Sequence, residues 1–305
     1  MRLATRGSAL ALWQAEYVAD RLRAVRPDLP VELVVVETVG DRRQDRPVWE
    51  LGGQGVFVKE VQAAVLEGRA DAAVHSAKDL PSRTAPGLLL AAVPVRADPR
   101  DVLVGSALQD LAPGARVATG SVRRRAQLAW LRPDLTFTSL RGNIATRLSR
   151  VPAGGAIVMA AAALHRLDLA PPVFEMLDPS VMLPQVAQGA IAVECRRADD
   201  AGRSLLEAID DPGAAACVRA ERAYLARLGG GCDLPVGAYA VPVGDGAGSD
   251  LRVEALLASL DGRVVLRSVA VGPAGSAEAL GAGLAEELLD RGGRTLLADA
   301  GMAVE

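Results

Sequence analysis

Residues 116–131, RVATGSVRRRAQLAWL, contain the unit that decides the fold. A short apolar strand over residues 116–119 is followed by a turn at Gly120 and Ser121, and then by a helix over residues 122–131. The first half of the chain repeats this order, with arginines near several of the turns. Because alternating strands and helices are typical of parallel sheets covered by helices, we predict an α/β fold.

The same unit extends outward in both directions from this stretch. Ser8 is a suitable N-cap for a helix over residues 9–25. Further helices are predicted over residues 57–67 and 144–150, while residues 41–55 are polar and glycine-rich, which indicates a loop. Apolar runs predict strands at residues 2–5, 31–36, 72–75, 88–93, 136–140 and 156–159.

The last third of the chain has a different pattern. A helix over residues 214–228 ends at three glycines, and a strand begins near Val236. Two alternating runs flank Asp261 and Gly262, which is a hairpin signal. A helix over residues 276–289 completes an α+β domain of roughly 90 residues.

Composition excludes several classes of protein. The 305 residues carry 34 basic and 37 acidic side chains, and half are apolar, so we expect two or three globular domains. The longest apolar run, residues 156–164, is too short to cross a membrane, and Gln14 and Glu16 interrupt the start too early for a signal peptide. We therefore expect a cytosolic protein. Three separated cysteines and two histidines weigh against disulfides and a metal centre, and no P-loop or Rossmann glycine motif is present.

Arginines recur where predicted strands meet predicted helices. They are Arg6, Arg123, Arg124, Arg141 and Arg147. Helix N-termini and guanidinium groups both bind anions, and ligands of open α/β sheets bind at the carboxyl ends of the strands. Each arginine alone is compatible with a solvated surface position, but the group favours a pocket for a small, highly anionic ligand. Nucleic acid is a weaker interpretation, because the chain is slightly acidic and poor in aromatic residues.

Two further residues have side chains that could take part in catalysis or covalent attachment, and each also has an ordinary structural interpretation. Asp79, beside Lys78 at a strand end, is the best acid–base candidate, although a turn residue is an equally ordinary role. Cys232 follows the glycines and could be an accessible thiol, but spacing alone favours a small buried cysteine. We expect His75 to be buried in its strand.

Eight stretches, in order across nearly the whole chain, make the sequence similar to the porphobilinogen deaminase family, also called hydroxymethylbilane synthases. Three are specific to that family: HSAKDLP at residues 75–81, LRGNIATRL at 140–148 and GGCDLPVG at 230–237. The resemblance implies a transferase of tetrapyrrole biosynthesis. Such an enzyme deaminates four porphobilinogen molecules, joins them head to tail, and releases linear hydroxymethylbilane with water.

The resemblance also implies a cofactor and a set of site residues. The chain would grow on a dipyrromethane held by a thioether to Cys232, with Asp79 as the catalytic carboxylate and Lys78 contacting cofactor carboxylates. Further positions that match cofactor-binding ones are Arg123, Arg124, Ser8, Ser76, Thr119, Ser121 and Gly142. Those that match substrate-binding ones are Arg6, Arg141, Arg147, Arg166 and Phe57. No metal is implied.

The implied fold has two α/β domains like the halves of type II periplasmic binding proteins, plus a smaller C-terminal α+β domain with the cysteine loop. We expect domain 1 at residues 1–94 and 190–207, domain 2 at 100–183 and domain 3 at 212–305. The implied partner is porphobilinogen alone, without nucleic acid, membrane or obligate protein partner, and family precedent suggests a monomer. Glu50, Gln54 and Gly7 depart from residues that many members have.

Two other functions compete with this one. A two-lobed protein that binds organic anions would fit the α/β pattern but would give Cys232 no task. A cysteine-dependent hydrolase would need a histidine partner, and neither histidine lies in a recognisable nucleophile motif.

Overall fold

The computed structural model describes residues 1–42, 55, 57–230, 234–244 and 250–301. The chain divides into two compact units, one of Met1–Ala97 with Gly189–Ala215 and one of Asp98–Gln188 with Ala216–Glu305. It therefore leaves the first unit after residue 97 and returns at residue 189. The division into three domains, with the boundaries given above, stays a prediction.

The first unit is built on a five-stranded sheet. Its strands are β1 (Arg2–Arg6), β2 (Glu32–Val36), β3 (Ala72–Ser76), β4 (Leu88–Ala92) and β10 (Ile191–Arg196), and its helices are α1 (Ala9–Val25), α2 (Val39–Arg42), α3 (Lys59–Leu66) and α7 (Asp200–Glu207). The strand order is β2-β1-β3-β10-β4. Successive strand residues point to opposite faces, so Leu3 packs in a core with α1 and Ala4 in a second core with α3.

The sheet of the first unit is mixed, so the parallel pairing that the sequence predicts holds for only part of it. β1 is parallel to β2 and β3, but β10 is antiparallel to both β3 and β4. The physical reason is the route of the chain. β10 does not follow β3 through a right-handed helical crossover, which would make it parallel, but enters the sheet after residues 98–188 have formed part of the other unit.

The second unit contains another mixed five-stranded sheet, in the order β7-β6-β8-β5-β9. Its strands are β5 (Asp101–Val104), β6 (Arg116–Ala118), β7 (Thr136–Thr138), β8 (Ala156–Ala160) and β9 (Phe174–Leu177), and its helices are α4 (Val122–Leu131), α5 (Ile144–Leu148) and α6 (Ala161–Arg166). β5 is antiparallel to β8 and β9. β5 and β9 are strands that the sequence did not predict, and β5 carries a residue of the candidate site.

The same unit includes an antiparallel three-stranded sheet. Its strands are β11 (Val236–Val243), β12 (Asp250–Ala258) and β13 (Val265–Pro273). The helices of this part of the chain are α8 (Pro212–Arg227), α9 (Ala277–Leu288) and α10 (Arg294–Asp299), and α8 begins in the first unit, which extends to Ala215. The hairpin predicted around Gly262 is confirmed, because β12 pairs with β13 and Gly262 has a φ of 73°. α9 crosses α8 so closely that a Cβ on Gly281 would lie 1.9 Å from the carbonyl oxygen of Ala220.

Serine side chains cap the first helix of each α/β sheet described above at the positions where the sequence predicts those helices to begin. Ser8 caps α1, which spans Ala9–Val25 as predicted, and Ser121 caps α4 over Val122–Leu131. α3 begins at Lys59 rather than Phe57, which lies in the turn before it.

Neither a membrane-spanning helix nor a metal-binding cluster lies within the described ranges. There, no helix combines the length and apolar character that a membrane crossing requires. Among those residues, no group of three or more His, Cys, Asp and Glu side chains is arranged to hold a metal ion.

Candidate active site

A pocket lies at the carboxyl ends of β1 and β3 in the first unit. It is lined by Arg6, Ser8, Leu10, Ala11, Gln14, Phe57, Val58, Val74, His75, Ser76 and Asp79. Five of these, namely Arg6, Ser8, Phe57, Ser76 and Asp79, are residues that the sequence analysis named for the site. The fold brings them together because two neighbouring parallel strands end at the same edge of the sheet.

Arg6 supplies positive charge to this pocket. It is the last residue of β1, and its Cζ atom lies 4.2 Å from the centre of the Phe57 ring. This cation–π contact orients the guanidinium group over the aromatic face. Ser8 follows two residues later and accepts a hydrogen bond from the backbone N–H of Ala11 at 3.3 Å.

Asp79 lies at the end of a short 3₁₀ turn, Ala77–Asp79, that continues directly from β3. The backbone N–H of Ala77 donates to the carbonyl of Ala190, just before β10, at 3.1 Å, which fixes the start of this turn. Asp79 is thereby held at the pocket, and it is the one carboxylate among the lining residues. Lys78 lies in the same turn but does not line the pocket.

Gln14 and His75 line the pocket but were not predicted as site residues. Gln14 exchanges hydrogen bonds with Ser76, its Nε2 donating to Oγ at 2.8 Å and its Oε1 accepting from Oγ at 3.0 Å. The sequence signal that could have found Gln14 is its spacing of three residues from Ala11 in α1, which makes the two side chains neighbours on the helix surface. His75 is buried in β3 as expected, with Nε2 at 3.3 Å from Oε2 of Glu194.

A second set of predicted residues surrounds a buried carboxylate in the second unit. Asp101, at the start of β5, is fully buried and accepts hydrogen bonds from Arg123 and Arg124. Nη2 of Arg123 donates to its Oδ2 at 2.7 Å, and Nη2 and Nε of Arg124 donate to its Oδ1 at 2.7 and 3.0 Å. Both arginines lie in the first turn of α4, so Ser121 sets their position by capping the helix.

The same arginines also bind neutral groups of the protein. Nη1 of Arg123 donates to the carbonyl of Leu183 at 2.6 Å, and Nη1 of Arg124 donates to the carbonyl of Val158 at 2.9 Å. Gln188 completes the cluster, since its Nε2 donates to Oδ1 of Asp101 at 2.9 Å. Sequence reasoning missed Asp101 and Gln188. Both nevertheless lie in two more of the eight stretches that resemble the family, DPRD at residues 98–101 and QGAIAVECR at residues 188–196.

The charges of this cluster shift the pKa values of its members. Burial alone would raise the pKa of Asp101, but Arg123, Arg124 and the hydrogen bond from Gln188 lower it to about 2. Burial also lowers the pKa of Arg123, against the opposing effect of Asp101. The carboxylate is therefore ionised at neutral pH.

The remaining predicted residues of the second unit lie in the turns and helices that follow its strands. Thr119 follows β6, and its Oγ1 accepts from the backbone N–H of Ser121 at 3.2 Å. Gly142 has a φ of 109°, and its carbonyl accepts from Nε of Arg147 at 2.8 Å. Arg141 precedes that glycine, and Arg166 is buried at the end of α6.

Three predicted features lie outside the described residues. They are Cys232, the proposed attachment point of the cofactor, and the departures at Glu50 and Gln54. The two described cysteines, Cys195 and Cys217, are both buried. Burial raises the pKa of the Cys195 thiol, which makes it a poor nucleophile.

Comparison with known proteins decides the family. The family model "Porphobilinogen deaminase, dipyromethane cofactor binding domain" matches residues 1–204, and "Porphobilinogen deaminase, C-terminal domain" matches residues 215–290. The chain belongs to the porphobilinogen deaminase family. Porphobilinogen deaminase of Roseiflexus castenholzii is 49% identical over 303 residues, covering 98% of each chain, and that of Syntrophotalea carbinolica is 45% identical, covering 98% of this chain and 95% of the relative.

Likeness to solved structures is much weaker than likeness to the porphobilinogen deaminases. A putative lipoprotein from Ruminococcus gnavus has a TM-score of 0.41 at 11% identity, with 68% of this chain and 90% of that chain covered. The reduced OxyR regulatory domain of Pseudomonas aeruginosa has a TM-score of 0.39 at 14% identity, with 68% and 96% covered. The family assignment therefore rests on the sequence relatives.

The donor set of the first unit fits the dipyrromethane cofactor of the porphobilinogen deaminases. That cofactor bears acetate and propionate groups, which are anionic at neutral pH. The pocket offers a guanidinium, two serine hydroxyls and an aromatic ring beside one carboxylate. Cations and hydroxyls bind carboxylates, a ring can stack on a pyrrole, and a carboxylate can stabilise a cationic pyrrole.

Proposed function

We propose that this chain is a transferase of tetrapyrrole biosynthesis. It deaminates four porphobilinogen molecules, condenses them head to tail on a covalently bound dipyrromethane, and releases linear hydroxymethylbilane by hydrolysis. The observation that carries this proposal is the placement of Asp79 at the carboxyl end of β3, in one pocket with Arg6, Ser8 and Phe57. The family to which the chain belongs supports it.

We assign the covalent link to Cys232, whose sulfur would form a thioether. When bound, the dipyrromethane supplies the primer to which substrate units are joined. Lys78, Ser8, Ser76, Thr119, Ser121, Gly142, Arg123 and Arg124 are assigned to holding its carboxylates. Cations and N–H or O–H donors in this number suit a ligand that carries several carboxylates.

Asp79 is assigned the proton chemistry. Its carboxylate stabilises positive charge that develops on pyrrole nitrogen as ammonia leaves. It then accepts the proton that the pyrrole carbon loses when the new carbon–carbon bond forms. The 3₁₀ turn after β3 holds it at the pocket wall, so that the same group can act on each added unit.

The substrate carboxylates are assigned to Arg6, Arg141, Arg147 and Arg166, and the substrate ring to Phe57. Each added unit brings two further carboxylates, so the bound chain becomes more anionic as it grows. The cation–π contact fixes Arg6 for this task without neutralising its charge. Arginine suits the task because its guanidinium binds carboxylate in a bidentate manner and stays charged.

We further propose the three-domain division, a cytoplasmic location and a monomer, with porphobilinogen as the partner. Support for the domains comes from the separate sheets, and support for the location and the assembly comes from the family. Gel filtration with light scattering would measure the mass of the assembly. A mass of about one chain, against the 31.6 kDa of the sequence, is expected.

Intact-protein mass spectrometry with peptide mapping tests the function. We expect a mass increase equal to a dipyrromethane, mapped to the peptide that contains Cys232. Cys232→Ala is expected to have the bare mass and no activity, whereas Cys217→Ala, at a buried cysteine of α8, should retain the adduct. A bare wild-type protein that acquires no adduct from porphobilinogen would contradict the proposal and favour an anion-binding protein.

A further inference from the structure

The cluster of Arg123, Arg124 and Asp101 carries one net positive charge in the interior. The three side chains are 2%, 6% and 0% exposed, respectively. Asp101 is the one carboxylate bonded to these guanidiniums within the described ranges. Their other partners there are neutral oxygens.

An unbalanced charge in this place is costly. Removing a charge from water costs several kcal/mol unless an opposite charge compensates it. Nε of Arg123 is also buried and has no hydrogen-bond partner among the described residues.

Gln188 stands where a second carboxylate would neutralise the cluster. Its Nε2 donates to Oδ1 of Asp101 at 2.9 Å and to the carbonyl of Pro99 at 2.8 Å, and its Oε1 lies 3.5 Å from Nη2 of Arg124. Glutamate has nearly the same shape and would bring a carboxylate to Arg124, while its second oxygen would replace the N–H donor to Asp101 and Pro99. With glutamate, the cluster would hold two positive and two negative charges.

We propose that Gln188 is a charge-setting residue of the site. Its neutral amide orders Asp101 while leaving the arginine pair with one positive charge for a carboxylate of the bound pyrrole chain. Gln188 acts through Asp101 and Arg124 and is therefore a positioning residue. This inference rests on the proposed function, and its test separates the two.

Two substitutions of nearly equal size separate charge from hydrogen bonding. Gln188→Glu adds a negative charge, while Gln188→Met removes the hydrogen bonds and adds none. Apo-protein of each would be incubated with porphobilinogen, and adduct formation followed by intact mass over a range of concentrations and pH. Thermal unfolding of each variant would be measured alongside.

At pH 8 we expect Gln188→Glu to raise the half-saturating porphobilinogen concentration about tenfold or more, because a carboxylate now competes with the ligand. The defect should shrink as the pH falls, because protonation of the introduced carboxyl group restores the charge of the wild type. Asp101 and Arg124 are charged groups bonded to this side chain, and Arg123 bonds the same carboxylate of Asp101. Gln188→Met should lower the unfolding temperature but change half-saturation less than about threefold.

Equal defects in both variants at every pH would overturn the proposal, since hydrogen bonding would then be the whole role of Gln188. Wild-type behaviour of Gln188→Glu would overturn it too. If Gln188→Glu does not fold, Gln127→Glu introduces the charge from α4, with Gln127→Met as its control. Gln127 shares the carbonyl of Leu183 with Arg123, so the same direction of change is expected there, and no change would again contradict the proposal.

The wild-type protein tells the two proposals apart. A wild type that forms the adduct while Gln188→Glu and Gln188→Met behave alike contradicts the charge-setting role alone. A wild type that forms no adduct contradicts the proposed function itself.

Discussion

At the scale of single residues, the pocket of the first unit combines groups that bind anions with one carboxylate among its described lining residues. Arg6 and Ser8 offer a cation and a hydroxyl that suit a carboxylate ligand, while Asp79 is the one lining carboxylate. The negative charge of Asp79 repels an anionic ligand, so its presence among groups that bind anions calls for a separate role. The role proposed for Asp79, to stabilise a cationic pyrrole and accept its proton, would account for a negative charge in an anion pocket.

Asp79→Asn is expected to retain the Cys232 adduct but to lower turnover by a factor on the order of 10²–10⁴, because the amide cannot accept a proton. Single-turnover kinetics with porphobilinogen would measure this. Asp71→Asn is the matched control: Asp71 pairs with Arg2 at 2.7 Å at the opposite end of the same strands, and its loss should leave turnover within about twofold. Turnover near the wild-type value in Asp79→Asn would remove Asp79 from the mechanism.

At the scale of elements, helix α9 depends on one glycine for its place against α8. A Cβ at Gly281 would lie 1.9 Å from the carbonyl oxygen of Ala220 and 3.0 Å from the backbone nitrogen of Tyr224. Backbone atoms cannot move aside as a flexible side chain can. The two helices cover the sheet that follows the proposed cofactor loop, and Tyr224 of α8 donates to the carbonyl of Leu256 in β12 at 2.7 Å.

Gly281→Ala is therefore expected to destabilise the protein by about 2 kcal/mol or more, because the helices must separate. Gly283→Ala on the same helix is the control, since no atom lies within 4 Å of its added Cβ. Alanine there should stabilise by about 0.5–1 kcal/mol, through helix propensity alone. Urea unfolding would compare the two, and equal changes would show that α9 does not pack as described.

At the scale of the whole molecule, acid stability depends on the buried cluster of the second unit. The pKa of Asp101 is about 2 in the folded protein against 3.8 for the free group, so unfolding takes up a proton below pH 4. This carboxylate contributes about 2 kcal/mol of stability above that pH, and the contribution is lost as the pH falls through 2.

Unfolding measured between pH 5 and pH 2 should therefore be less dependent on pH in Asp101→Asn than in the wild type. Asp134→Asn serves as a control, because Asp134 pairs with Arg132 at the surface, where solvent weakens the pair. An identical pH dependence in Asp101→Asn and the wild type would show that the carboxylate of Asp101 is not the group that titrates.

The sequence predicted the parts of the molecule that depend on neighbouring residues. The N-cap at Ser8, both ends of α1 and α4, and the hairpin at Gly262 follow from local rules of capping and turn formation. The reverse direction of β10 and the pairing of Asp101 with α4 depend on residues far apart in the chain. Periodicity carries no information about such partners, so Asp101 and Gln188 remained undetected.

The position of β10 in the first sheet has a consequence for synthesis on the ribosome. β4 pairs only with β10 in the described sheet order, and β10 ends at Arg196. While residues 98–188 are being translated, β10 has not yet been made, so the backbone groups of β3 and β4 that pair with it lack this partner. Unpaired strand edges associate with other chains, so the nascent protein is most exposed to aggregation, and to chaperone binding, during that interval.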